Sequence, residues 1–127
     1  KGEAVLKWMD SLDFFLIPSL TEGLPRALVE AMSRGLPAIG AKTGGIPELL
    51  NPDFLHRPKD YKELANIIRR LLNNKELLLE ACISNFEKAK MFTSVILNSK
   101  RDEFYSNFYD YVSNIKNSKT YKESRNQ

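Results

Sequence analysis

The sequence has one cysteine, one histidine and one tryptophan among 127 residues, and it contains no Asp-x-Asp string. A lone Cys82 excludes an internal disulfide, so the simpler expectation is a reducing compartment, with the thiol packed as a small apolar group. With a single imidazole and a single thiol there is no His/Cys cluster at metal-ligand spacing, and no metal is expected. Uncharged stretches stay well below the roughly 18 residues that span a bilayer, and residues 1–10 lack the apolar centre of a signal peptide. A cytoplasmic location follows as an expectation, with peripheral attachment at the inner face of the membrane as the most that a basic tail would add.

Cations clustered on the folded body are also missing. The formal charge is +3, and residues 114–127 supply all of it through Lys116, Lys119, Lys122 and Arg125 against Glu123. Residues 1–113 are therefore neutral, which argues against nucleic acid as a partner, because such binding needs clustered cations that displace counterions from phosphate. The basic segment is expected to be a polar, disordered tail with a weak attraction to anionic lipid. At 43% hydrophobic and 28% charged, the chain has the composition of an ordinary globular domain.

What is present alternates between two periodicities. Val5, Leu6, Trp8, Met9 and Leu12 recur at helical spacing, and Trp8 and Met9 are expected in the core. The apolar run of residues 14–17 reads as a strand buried on both faces. A helix is expected to open with Pro25 in its first position, to bury Leu28, Ala31 and Met32, and to end at Gly35. Residues 37–40 read as a second strand, Thr43-Gly44-Gly45 as a turn, and residues 46–50 as a short helix. A third strand over 54–56 leads to the clearest helix, 60–72, with Leu64, Ile67, Ile68, Leu71 and Leu72 on one stripe. Asn73, three residues ahead of Glu76, resembles a cap for a helix to about residue 90, and a last helix covers 94–115. His56 reads as a strand-end or surface residue.

Strands alternating with helices imply an α/β fold, a partial doubly wound, Rossmann-like parallel sheet with helices on both faces. Three short strands make a narrow sheet, so the remainder is expected to precede residue 1. In such sheets ligands bind beyond the carboxyl ends of the strands, where helix N-termini offer free N–H groups. Two glycine-bearing loops occupy such ends, residues 18–25 and 41–47, and each leads into a helix with proline near its start. Glu22 and Glu30, in EGLPRALVE, are separated by seven residues and suit contacts to different parts of one elongated ligand.

The stretch PSLTEGLPRALVEAMSRGLPAIGAKTGGIPELL resembles the signature of retaining glycosyltransferases of family 4, the group 1 glycosyltransferases, whose fold is GT-B. The resemblance runs from about residue 12 to 72 and more loosely to Tyr111. It implies that residues 1–113 are the donor-binding C-terminal part of a GT-B enzyme that moves a sugar from a nucleotide-diphosphate sugar to a glycan or lipid-linked acceptor with retention. Glu22 would face the donor sugar at the reacting centre, as the catalytic carboxylate, and Glu30 would accept hydrogen bonds from the ribose hydroxyls. The N–H groups of Gly23 and Leu24 would lie against the diphosphate or sugar, with Pro25 beside them. Thr43, Gly44 and Gly45 would line the same cleft. The sugar nucleotide is the substrate, and no cofactor is implied.

Pro25 stands where many members have glycine, which removes one N–H. The basic residues that grip the diphosphate and the whole acceptor domain would precede residue 1, so the chain alone is expected to be inactive. Plainer readings stand beside these. Glu22 suits a helix N-terminus and Glu30 suits an i, i+4 pair with Arg26, while Thr43-Gly44-Gly45 suits a tight turn. The aromatic run Phe104, Tyr105, Phe108, Tyr109, Tyr111 either packs on this domain or docks on the N-terminal one. The alternatives to transfer are a non-catalytic nucleotide-sugar-binding module and a sugar-nucleotide epimerase of similar fold.

Overall fold

The computed structural model describes residues 2–123. Two compact units are distinguished, Lys1–Phe92 and Thr93–Gln127. In the first, the elements run α1 (Gly2–Met9), β1 (Phe15–Ile17), α2 (Arg26–Ser33), β2 (Ala38–Ala41), α3 (Ile46–Leu49), a 3-10 turn at Pro52–Phe54, β3 (Leu55–His56), α4 (Tyr61–Leu72), α5 (Lys75–Ala89) and a 3-10 turn at Lys90–Phe92. The strands form one parallel sheet in the order β1-β2-β3, with Ile17 opposite Gly40 and Ala41 opposite His56.

Successive strand residues point in opposite directions, and both faces of β2 are covered; β1, expected to be buried on both faces, is an edge strand that leaves Leu16 exposed. Ala38 and Leu55 join Leu28, Met32, Ile46, Leu49 and Leu50 in the core beneath α2 and α3. Ile39 turns the other way, to Phe54, Ile67, Leu71 and Ala81 beneath α4 and α5. All four residues of β2 are buried, as expected of a central parallel strand. A Cβ on Gly40 would lie 2.5 Å from Ile46 Cγ2 and 3.2 Å from Leu50 Cδ1, so the missing side chain lets α3 sit directly on the strand.

Local chemistry shifts several expected boundaries. Pro25 is the N-cap of α2 rather than its first helical residue; it is extended at ψ 110°, and its carbonyl accepts from Leu28 and Val29. Pro37 falls outside β2 because it has no N–H for a ladder, although its carbonyl accepts from Phe15 N. Asn51 accepts from Asp53 N and winds Pro52–Phe54 into a 3-10 turn, which shortens the third strand to two residues. The cap of α5 is Asn74, whose side chain accepts from Leu77 N, whereas Asn73 closes α4 by donating Nδ2 to Arg69 O. Gly35 does end α2 as expected. At φ +71° it gives its N–H to Met32 while Leu36 N reaches Ala31 O, the paired bonds of a Schellman motif.

Trp8 and Met9 separate. Met9 is buried with Ala31 and Leu36, but Trp8 lies off that face of α1 and is exposed. His56, expected at a strand end or on the surface, is at the strand end but buried at 2% exposure. Its Nδ1 is 2.8 Å from Arg57 O, and among the described residues its Nε2 has no hydrogen-bond partner. Cys82 is half-buried, and burial pushes its thiol above the usual range.

The second unit contains α6 (Ser94–Glu123), which passes through both the expected helix end at residue 115 and the expected boundary at 113/114. No glycine or proline interrupts residues 94–123. Along this helix the Phe104 and Phe108 rings stack at 6.4 Å, and Tyr105 meets Phe104 edge-on at 5.6 Å. The last part of the expected tail, residues 124–127, lies outside the described residues.

Candidate functional site

Because β1 and β2 are parallel neighbours, the loops that follow them leave the same edge of the sheet. The structure brings these loops, residues 18–25 and 42–45, into direct contact. Gly45 N donates to Gly23 O at 2.8 Å, and Thr43 Oγ1 donates to Ser19 O at 3.3 Å. Gly44 is the residue on which this contact depends. Its φ is +50°, and a Cβ there would lie 1.9 Å from the Glu22 carbonyl oxygen, which no rearranged side chain could relieve. Thr43-Gly44-Gly45 is therefore more than a turn: it is the surface on which the first loop rests.

Glu22 and Glu30 take up different positions on this edge. Glu22 is half-buried in the loop ahead of α2, and its Oε1 accepts the Ser19 hydroxyl at 2.7 Å. Glu30 is inside α2 and makes the plainer of its two expected contacts, an ion pair with Arg26 Nε at 3.3 Å. The Arg26 side chain is 93% exposed, so this pair is weak and a stronger ligand contact could displace it. Among the described residues no hydrogen bond takes up the N–H of Gly23 or Leu24. Gly45 is different, since its N–H is already given to Gly23 O and the residue is buried. Pro25 is also buried, and it has no N–H to offer. The edge thus presents two free N–H groups at the start of α2, one carboxylate steadied by a serine, and a second carboxylate in a loose ion pair. Chemically, such a set suits a ligand with both anionic and hydroxyl-rich parts.

Sequence reasoning did not single out Ser19. The only signal was its place three residues ahead of Glu22, a spacing that lets a serine hydroxyl reach back across a turn. A separate hollow of about 310 Å³ lies along β3 and α4, with Lys42, Asp53, Glu63 and Arg70 on its walls. It holds none of the expected site residues, and its charges are partly engaged: Arg70 donates to Asp53 O, and Glu63 accepts from Arg57 N. Among the described residues there is no group of three or more His, Cys, Asp or Glu that could hold a metal ion. No helix among them is long and apolar enough to cross a membrane.

Residues 2–74, which include both loops and both glutamates, match the family model described as "Glycosyl transferases group 1". The chain belongs to this family. Among related sequences, Protein CapJ of Staphylococcus aureus is 29% identical over 112 residues, which is 88% of this chain and 29% of CapJ. The amylovoran biosynthesis glycosyltransferase AmsK of Erwinia amylovora is 41% identical over 78 residues, 54% of this chain and 19% of AmsK. Among solved structures, Anabaena Alr3699/HepE in complex with UDP superposes with a TM-score of 0.75 at 30% identity, over 80% of this chain and 29% of that one. The same protein in complex with UDP-glucose gives 0.73. The fold is thus that of the C-terminal half of a GT-B glycosyltransferase. The chain spans under a third of the length of these proteins.

Proposed function

We propose that this chain is the donor-binding part of a retaining, family 4 type glycosyltransferase that transfers a hexosyl group from a nucleotide-diphosphate sugar to a glycan or lipid-linked acceptor. Residues 1–113 form that part, and residues 114–127 are a polar extension. The observation that carries the reading is the edge itself. Glu22, Glu30 and the free N–H groups of Gly23 and Leu24 stand on two interlocked loops, in a fold shared with a protein solved with UDP and with UDP-glucose.

On this reading the N–H groups of Gly23 and Leu24 donate to the diphosphate, and the N-terminus of α2 adds its partial positive charge. Glu30 exchanges its ion pair with Arg26 for the paired hydroxyls of the ribose. Glu22 stands toward the donor sugar, where a fixed carboxylate orients the hydroxyls and stabilises positive charge developing at the reacting carbon. Thr43 and Gly44 form the wall of the cleft beside it. The protein supplies binding and electrostatics, and the nucleotide diphosphate is the leaving group.

The test is a titration of the chain with UDP, GDP, ADP and their glucose conjugates, followed by ligand-observed NMR, with Glu30→Ala beside the wild type. One base should be preferred, and Glu30→Ala should weaken it about tenfold, the loss of a charge-assisted bond. Absence of binding to every nucleotide, or binding indifferent to Glu30→Ala, would overturn the assignment of these residues.

A further inference from the structure

Ser19 and Gly44 are not among the groups that the proposed function uses for chemistry, yet both act on Glu22. The Ser19 hydroxyl donates to Glu22 Oε1 at 2.7 Å, within the range of a good O–H···O bond. Ser19 is itself held, because its carbonyl accepts from Thr43 Oγ1. The backbone of Glu22 is fixed from the same side: Gly44 lies so close beneath its carbonyl that no side chain fits between, and the next carbonyl, that of Gly23, accepts from Gly45 N. Main chain and carboxylate of one residue are therefore each tied down by neighbours reaching back to the loop after β2. Among the described residues Oε2 has no hydrogen-bond partner.

We infer that Ser19 is a positioning residue that locks the Glu22 carboxylate in one orientation, Oε2 open to the donor sugar, and that Gly44 is the seat that sets the height of this loop. The inference rests on the proposed reading of the cleft for its ligand, but not for the contact itself. A carboxylate on a loop ordinarily samples several rotamers, and fixing it before the ligand arrives removes an ordering cost from binding. Ser19 then affects only that part of the affinity contributed by the sugar.

Two measurements on the 127-residue chain test this, using Ser19→Ala and Ser19→Thr. Without ligand, the three-bond couplings across χ1 and χ2 of Glu22 should report one rotamer in the wild type, averaging in Ser19→Ala, and recovery in Ser19→Thr, which keeps the hydroxyl. With ligand, UDP-glucose should bind about fivefold more weakly to Ser19→Ala while UDP changes less than twofold, and Ser19→Thr should restore the difference. Averaged couplings in the wild type, couplings unmoved by Ser19→Ala, or equal weakening of UDP and UDP-glucose would overturn the inference. If neither nucleotide binds the wild type and the couplings respond as expected, the donor reading fails and the positioning contact stands.

Discussion

Gly40 and Gly44 are both glycines because something else occupies their side-chain space, but the obstacles differ. Beside Gly40 it is the Cγ2 methyl of Ile46, which moves only with χ1 and at a cost to the packing of α3; beside Gly44 it is backbone carbonyl, which cannot move aside. Gly40→Ala should therefore fold with a loss of about 1–3 kcal/mol, read as a lower urea midpoint at unchanged slope. An unchanged midpoint would show that Ile46 swings clear. On the proposed reading the two glutamates also separate by role. In an enzyme active in sugar transfer, Glu22→Ala should reduce kcat about a hundredfold and raise donor KM only by about the fivefold that Ser19→Ala costs UDP-glucose. Glu30→Ala should raise KM about tenfold instead. Donor-dependent steady-state kinetics distinguish the two, and wild-type turnover in Glu22→Ala would remove Glu22 from the reacting centre.

Between elements, the fixed points are polar. Arg34, at the end of α2, donates to both oxygens of Asp10 at 2.6 and 2.8 Å and ties the exit of α1 to it. That hydrogen bond, aided by the guanidinium charge, holds the Asp10 carboxyl below the usual aspartate range. Asp60 is held low as well, chiefly by the Glu63 backbone N–H that it caps and then by Arg57. A carboxyl lowered in the folded state adds stability that is present above its unfolded value of about 4 and is lost as pH falls through the folded one. Acidification below about pH 4 should therefore lower Tm more steeply in the wild type than in Asp10→Asn/Asp60→Asn, as followed by circular dichroism. Asn74→Ala should cost about 1 kcal/mol through the loss of the Leu77 cap, whereas Asn73→Ala, at the end of α4, should cost less in the same thermal melts. The sequence placed that cap one residue early because Glu76 imitated a capping box, while the hydrogen bond actually goes to Leu77. The elements themselves were readable: Leu64, Ile67 and Leu71 announce α4 by their spacing, and Pro25 and Gly35 bracket α2 to within a residue. Trp8 was not readable, because in an eight-residue helix the choice of inward face is made by what lies opposite.

At the scale of the molecule, the sheet follows from local signals, and so does the choice of a candidate site, since glycines and glutamates next to strand ends are visible in one dimension. The interlock of the two loops is not. Thr43 and Ser19 meet across 24 residues of chain, and only the parallel pairing of β1 with β2 brings them together. His56 escaped for the same reason. Nothing beside it in sequence shows that α4 closes over a two-residue strand. That closure has a use at the bench. The carbonyl facing Nδ1 can only accept, so Nδ1 carries a proton. The chain has one histidine, and its side chain is shut away from water. It should therefore give a single imidazole resonance far downfield of every amide, leaking its label to deuterium only when β3 lifts from its neighbour. Timed against denaturant, that one signal should fade in step with the amide of Ile39, a built-in clock for the opening of the sheet that needs no dye, tag or substitution.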